Sequence, residues 1–336
     1  MEAASQDELP KGEGWLYEPK WDGFRCLAFR KGKTVLLQSK AGQPLGRYFP
    51  ELVAALGALP LRTFVLDGEI VLRSPGSPGG LDFDALLQRI HPAESRIRKL
   101  ARETPGTLLV FDLLVDERGK AVNDLPLSER RQRLERLFAK LPETGSAELS
   151  PATPDRKIAL GWLRDLGGGG LDGVVAKRLS EPYQSGERTM VKVKRKRTAD
   201  CVVGGFRYAQ KGGAIGSLLL GLYDDEGRLD HVGFSSSFTV GERGELEPVL
   251  KPLIEPPGFT GRAPGGPSRW SRGRSTEWVP LRPSLVCEVS FDHFSGDRFR
   301  HGTKFLRWRP DKRPEQCTFD QIRRGGAKGS GPIPRR

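Results

Sequence analysis

The sequence predicts an α+β domain over residues 1–197, a small β-barrel over 198–322 and a basic, disordered tail over 323–336. Three observations carry that prediction. A chain of 336 residues, 37% of them hydrophobic, is long enough for two ordinary domains with cores of their own. Upstream of residues 192–197, strand and helix patterns are mixed. Downstream, from Ala199 to Ile322, short apolar runs are cut by Gly and Pro with few helical spacings, which suits a barrel.

Taken in order, residues 15–38 read as two strands joined by a turn at Lys31-Gly32-Lys33. Residues 63–72, rich in β-branched and aromatic side chains, read as another strand, 74–80 (SPGSPGG) as a loop and 82–90 as a helix. The run TLLVFDLLV at 107–115 is short and nearly all apolar, fit for a strand buried on both faces. Leu134, Leu137, Phe138 and Leu141 recur at helical spacing, so 127–141 forms an amphipathic helix with Arg and Glu facing solvent. Residues 167–170 are four glycines, a flexible connector before the strand LDGVVAKR. CVVGGFRYA, SLLLGLYDDEGRLDHVGFSS, LVCEVSFDHFS and FRHGTKFLRW then supply the strands and hairpins of a barrel such as the OB-fold. The tail RRGGAKGSGPIPRR has the composition of disordered chain.

Lys and Arg number 55 against 42 Asp and Glu, a formal charge of +13 that favours a polyanionic partner, nucleic acid or an anionic membrane surface. No apolar run approaches the roughly 20 residues that cross a bilayer, and the N-terminus MEAASQDELPKGEG is too polar for a secretion signal, so a cytosolic setting is expected. Cys26, Cys201, Cys287 and Cys317 form no C-x-x-C pair. That argues against zinc ribbons and redox motifs and for reduced, buried thiols. The four histidines also lack metal-ligand spacing. A metal here would sit on carboxylates and phosphate oxygens, which points to magnesium.

The run Glu18-Pro19-Lys20-Trp21-Asp22-Gly23-Phe24-Arg25 puts a lysine, two carboxylates and an arginine into one strand and turn. Such a turn can hold an amine beside a phosphate with a cation on the far side, an arrangement for covalent catalysis by lysine. Alone, the run reads equally as a solvated loop of mixed charge. Strand alternation puts Asp67 and Glu69 on one face, with Leu66, Gly68 and Ile70 on the other. Two carboxylates so placed need a metal, a basic partner or a sugar hydroxyl, unless the strand is an exposed edge. Phe111 is either core or a platform for a nucleobase. Residues 171–177 run from Asp172 and Gly173 through an apolar strand to Lys177. Lys192 and Lys194 share a strand face, where they bracket an anion such as a nucleotide phosphate or form a solvated edge.

The order of these blocks is more specific than any one of them. Lys-x-Asp-Gly-x-Arg, Asp-Gly-Glu, Phe-Asp, Asp-Gly-Val-Val-Ala-Lys, Lys-Val-Lys and finally Arg307-Trp308-Arg309-Pro310-Asp311-Lys312 occur in series. In this the chain resembles the covalent nucleotidyltransferases, specifically ATP-dependent DNA ligases, among them the short bacterial LigC type and the ligase module of LigD. The resemblance covers residues 14–322. It implies a nucleotidyltransferase domain of ATP-grasp-like antiparallel sheets and an OB-fold domain that closes over ATP and later clamps DNA.

By that resemblance Lys20 is the nucleophile that takes AMP from ATP. Lys192, Lys194, Arg25 and a magnesium ion favour its neutral amine by like-charge repulsion. Glu18 lies by the adenine, Phe111 stacks on it, and Arg25 and Glu69 contact ribose and the reacting strand end. Lys192 and Lys194 bind the α-phosphate. Asp311 and Lys312 orient the departing pyrophosphate, and Arg307 or Arg309 touches the triphosphate. Magnesium, with manganese able to replace it, is carried by Asp22, Glu69 and Asp172, although Asp22 also reads as a turn-forming carboxylate. Two departures stand out. The family's usual Ser-Arg is Ser39-Lys40 here, so the contact of Lys40 loses the bidentate fork of arginine, and the usual glutamate of the fourth motif is Asp172.

The implied reaction seals a 5′-phosphate/3′-hydroxyl nick in duplex DNA, in repair, by a monomer in the bacterial cytoplasm at the nucleoid, with repair proteins and no membrane as partners. Six of the ten residues 188–197 are basic, and 298–313 holds seven basic residues against the single Asp311, which suits contacts to duplex phosphates. Phe299, Phe305 and Trp308 among them are expected to be barrel core. RNA ligation, GTP-dependent capping and a catalytically inert nucleic-acid-binding module are the rival readings. The helical DNA-binding domain of larger ligases has no room before Trp15, and the cysteine quartet of NAD-dependent ligases is missing.

Overall fold

Gly23 divides what the sequence presents as one strand. A Cβ there would meet the Ile70 carbonyl oxygen at 2.3 Å, so only glycine lets the chain turn at this point. Residues 15–38 therefore form three strands rather than two: β2 (Trp15–Trp21), β3 (Phe24–Lys31) and β4 (Thr34–Ser39), after a short β1 (Ala3–Ser5). The computed structural model describes residues 1–74, 80–165, 171–194, 197–209, 213–265, 277–292, 294–300 and 302–322. Most of the 74–80 loop, the glycine connector and the basic tail lie outside these. Residues 1–194 and 197–322 fall into two compact units.

The first unit continues with α1 (Pro50–Ala58), β5 (Thr63–Leu72), α2 (Phe83–Leu87), α3 (Glu94–Glu103), β6 (Gly106–Val115), α4 (Leu127–Phe138), β7 (Ala147–Leu149), α5 (Arg156–Asp165), β8 (Leu171–Arg178) and β9 (Met190–Lys194). Two sheets organise it, β4-β3-β5-β6-β7 and β1-β9-β8-β2. Pairing is mostly antiparallel, but β7 joins β6 and β1 joins β9 in parallel, so both sheets are mixed where antiparallel ones are expected. Strand β5 is central, flanked by β3 and β6, which excludes the exposed-edge reading of Asp67 and Glu69.

Helix α4 corrects a second expectation. Its arginines are not all a solvated face: Arg130 and Arg131 are buried. Arg130 donates to both carboxylate oxygens of Asp112 at 2.8 and 2.9 Å, and Arg131 donates to the Ser150 carbonyl at 2.8 Å. Arg130 is hydrogen-bonded through Nε and both Nη groups, which allows its burial, whereas Arg131 Nη1 is buried without a hydrogen-bond partner among the described residues. Leu127, Leu134 and Leu137 complete the buried stripe. Helices α1, α3 and α5 have no counterpart in the sequence reading; α3 buries only Ile97, too faint a period to see.

The second unit holds β10 (Arg197–Tyr208), β11 (Ile215–Tyr223), β12 (Leu229–Ser235), α6 (Val240–Leu250), β13 (Val279–Pro280), β14 (Val286–Phe291), β15 (Phe294–Ser295), β16 (Arg298–Phe299) and β17 (Lys304–Trp308). Its main sheet runs β12-β11-β10-β14-β17, with β13 also on β10. This path is open. Among the described residues a single parallel bridge, Ser235 to Thr303, joins the region of its two edges, so a closed barrel is not formed as a ladder. Helix α6 carries a capping box, Thr239 with Glu242. Phe299 is buried and Phe305 and Trp308 pack against the same core, as expected. All four cysteines are free and buried. Burial pushes the Cys26 and Cys317 thiols up to about 12 and raises those of Cys201 and Cys287 as well. No described helix is long and apolar enough to cross a membrane.

Candidate active site

Three neighbouring strands set the charged groups of the first unit. Lys20 on β2 pairs with Gly173 on β8, which pairs in turn with Lys194 on β9. Two residues along, Glu18 pairs with Val175 and Val175 with Lys192. Period-2 alternation then puts Glu18, Lys20, Lys192 and Lys194 on one face. Gly173 allows the close approach: a Cβ would lie 2.1 Å from the Val193 carbonyl oxygen.

Asp172 is the anion of this face. Lys20 Nζ donates to its Oδ2 at 2.6 Å, and Lys194 Nζ lies 3.1 Å from the same oxygen. Burial opposes ionisation of Asp172, yet the two lysines hold its carboxyl below the usual range. Lys192 is lowered by burial, with Lys20 and Lys194 adding like-charge repulsion. Lys192 and Lys194 thus carry their charge near Lys20, while Asp172 faces Lys20 directly.

The facing sheet supplies a second group. Arg25 on β3 forks onto Asp67 at 2.6 and 2.5 Å, and Tyr183 donates to Asp67 Oδ2 at 2.8 Å. Burial works against the Arg25 charge, but Asp67 more than restores it. Phe111 on β6 carries two cations over its ring, Lys177 Nζ at 4.5 Å and Arg25 Cζ at 4.9 Å from the centroid. Lys177 is itself buried and paired with Glu18 Oε2 at 2.6 Å. The other oxygen, Glu18 Oε1, is buried without a hydrogen-bond partner among the described residues. An orphaned acceptor beside an aromatic ring is a place for a planar ligand that donates.

Glu69 is pushed up to about 7, chiefly by burial, with Asp67 and Asp22 adding to the rise against Arg25 and Lys20. A carboxyl crowded by other carboxyls fits a hard cation, and Asp22 with Glu69 could hold one together with phosphate oxygens. Asp172 is spent on lysines as it stands. Among the described residues no group of three or more His, Cys, Asp or Glu is gathered for a metal. Lys40 does not reach these groups through any contact seen here; it is exposed and pairs with Glu2 at 2.8 Å.

In the second unit the final motif forms its own cluster. Arg309 forks onto Asp311 at 2.9 and 2.8 Å and reaches Asp200 Oδ1 at 2.9 Å. Lys312 Nζ donates to Asp200 Oδ2 at 2.6 Å, and Arg307 Nε to Glu288 at 2.8 Å. Arg309 holds Asp311 down at about 2. Sequence reasoning singled out Asp67 and named Lys177 without giving either a role at the site, and passed over Tyr183, Asp200 and Glu288. Lys177 and Asp200 had a visible signal, a charge inside an otherwise apolar strand, which demands a partner. Tyr183 had none.

Residues 3–194 match the family model described as ATP dependent DNA ligase domain, and 211–312 match the ATP dependent DNA ligase C terminal region. The chain is 47% identical over 331 residues to DNA ligase C1 of Mycolicibacterium smegmatis, covering 96% of this chain and 92% of that protein. It is 46% identical to DNA ligase C of Mycobacterium tuberculosis, over 92% of this chain and 89% of the relative. The multifunctional non-homologous end joining protein LigD of Pseudomonas aeruginosa is 32% identical over 99% of this chain, which spans 37% of LigD. Among solved structures, one from a study of Lig E DNA ligases shares the fold, with a TM-score of 0.55 at 15% identity over 92% of this chain and 98% of that one.

Proposed function

We propose, from the premise that this chain belongs to the ATP-dependent DNA ligases, that Lys20 is the residue on which it carries AMP. The observation that carries this is the Lys20–Asp172–Lys194 arrangement around Gly173, an amine and a second cation sharing one displaceable anion. An α-phosphate that takes the lysines from Asp172 would sit between Lys194, Lys192 and the Lys20 nitrogen. Lys20 Nζ, having lost a proton, then bonds to phosphorus as the bond to pyrophosphate breaks. The AMP passes to the 5′-phosphate of a nick, breaking the N–P bond. The 3′-hydroxyl next attacks that phosphorus and AMP leaves. The last two steps depend on positioning and charge stabilisation.

The base fits adenine. Glu18 Oε1 needs a donor, which the adenine 6-amino group supplies and the guanine 6-oxygen does not, while Lys177 offers a donor to a ring nitrogen. Phe111 would stack on the base, and Arg25, fixed by Asp67, would reach the sugar or strand end. This favours ATP over the GTP of a capping enzyme. Magnesium would rest on Glu69 and Asp22, with Asp172 joining once its lysines leave; when bound it offsets charge at the reacting phosphorus.

Residues 1–197 would then form the adenylation domain and 198–322 a domain of OB type, a reading supported by the isolated Ser235–Thr303 bridge between the regions of the sheet's two edges. Arg307, Arg309, Asp311 and Lys312 would serve the triphosphate. The substrate is nicked duplex DNA, held through the basic stretches, and the end-joining role that LigD is named for supports a place in repair. The protein would act as a monomer in the bacterial cytoplasm.

The test is intact-protein mass after incubation with ATP and magnesium. Wild type gains one AMP, and Lys20→Ala gains none. A Lys20→Ala variant that still gains AMP sinks the assignment.

A further inference from the structure

The cluster of the second unit is balanced, three acids against three bases. Asp200 on β10 and Glu288 on β14 are register partners, and Glu288 pairs with Arg307 on β17. Asp200 is fixed from behind. Its backbone N–H donates to Gln321 Oε1 at 2.9 Å, and Gln321 Nε2 donates to its carbonyl at 2.8 Å. Its two carboxylate oxygens are both spent, Oδ1 on Arg309 and Oδ2 on Lys312. Arg309 NH1 also lies 3.9 Å from Glu288. A rigid, largely buried carboxylate that divides its oxygens between two cations presents them as two oxygens of a phosphate would.

We infer that Asp200 and Glu288 are resident counter-anions, standing where phosphate oxygens of ATP later stand and yielding Arg307, Arg309 and Lys312 to them. This rests on the proposal that those cations serve the triphosphate. A cation already neutralised must break a pair to bind a phosphate, so each carboxylate competes with ATP and takes the cations back once pyrophosphate has gone. Asp200 and Glu288 are positioning residues in this scheme. They touch no substrate and act through the cations they hold.

Asp200→Asn and Glu288→Gln keep shape and remove charge, and two variants guard against one that fails to fold. The KM for ATP in lysyl-AMP formation is expected to fall about two- to five-fold in each, the size of one partly exposed ion pair. Asp200→Glu, which keeps the charge, restores a KM near that of wild type. A purely structural Asp200 predicts the reverse, a KM that rises together with a lower melting temperature. An unchanged or higher KM in both neutral variants overturns the inference. Lys312→Ala separates the two levels: a raised KM there, with no fall in the neutral variants, rejects only the counter-anion role. If Lys312→Ala leaves the KM unchanged, the triphosphate reading falls and this inference with it.

Discussion

Glu18 joins two demands at one side chain, neutralising buried Lys177 through Oε2 and leaving Oε1 for a ligand. Glu18→Gln keeps an acceptor but loses the charge and can present an N–H in its place. Losing a charge-assisted hydrogen bond costs roughly 1.5–3 kcal/mol, so the KM for ATP should rise at least about tenfold and the preference over GTP should shrink. Nucleotide-resolved adenylation assays would show it. His231 gives a prediction about stability. It is buried against Phe259, and burial, with Arg298 and Arg207 nearby and only the Gly233 backbone opposing them, lowers it from 6.5 to about 4. Above pH 6.5 the ring is neutral folded or unfolded and nothing is lost. Between pH 6.5 and about 4 the unfolded chain binds a proton that the folded one refuses, so stability falls by up to about 3 kcal/mol as pH drops. Melting curves across that range should show His231→Leu losing less stability than wild type. Equal acid slopes in the two proteins would contradict the buried neutral ring.

At the scale of elements, the spacing of Lys20, Gly173 and Lys194 is the property of three strands in register. Gly173→Ala would drive a Cβ into the Val193 carbonyl at a φ of +155°. The strands must part, so a loss of about 1–3 kcal/mol in denaturant unfolding is expected, with slower adenylation. Strands whose alternation or β-branched runs carry the pattern, such as Thr63–Leu72 and Gly106–Val115, are legible in the sequence because their periodicity is local. The sheet to which β2 belongs is not, because it depends on Gly23 and on pairing with β8, about 150 residues away. The inward arginines of α4 were illegible for a related reason. An arginine reads as solvent-facing until Asp112, on another element, is known to receive it.

For the whole molecule, the six ordered motifs made both the family and the lysine visible, while the partners of each charge emerged only in three dimensions. Lys20 was legible as a candidate; that Asp172 holds it was not. The +13 charge predicts that the logarithm of the affinity for nicked duplex falls linearly with the logarithm of salt concentration, with a slope of about −0.9 per phosphate contacted. Removing basic side chains from 298–313 should flatten that slope, as binding titrations at several salt concentrations would measure; an unaltered slope would place the DNA contacts elsewhere. The four buried thiols have a practical consequence. Thiol reagents act on accessible thiolates, and here every native thiol is enclosed and held protonated. Maleimide dyes should leave the folded protein unlabelled, so a cysteine introduced at one surface position in each unit would make a two-colour distance reporter with no need to delete native residues.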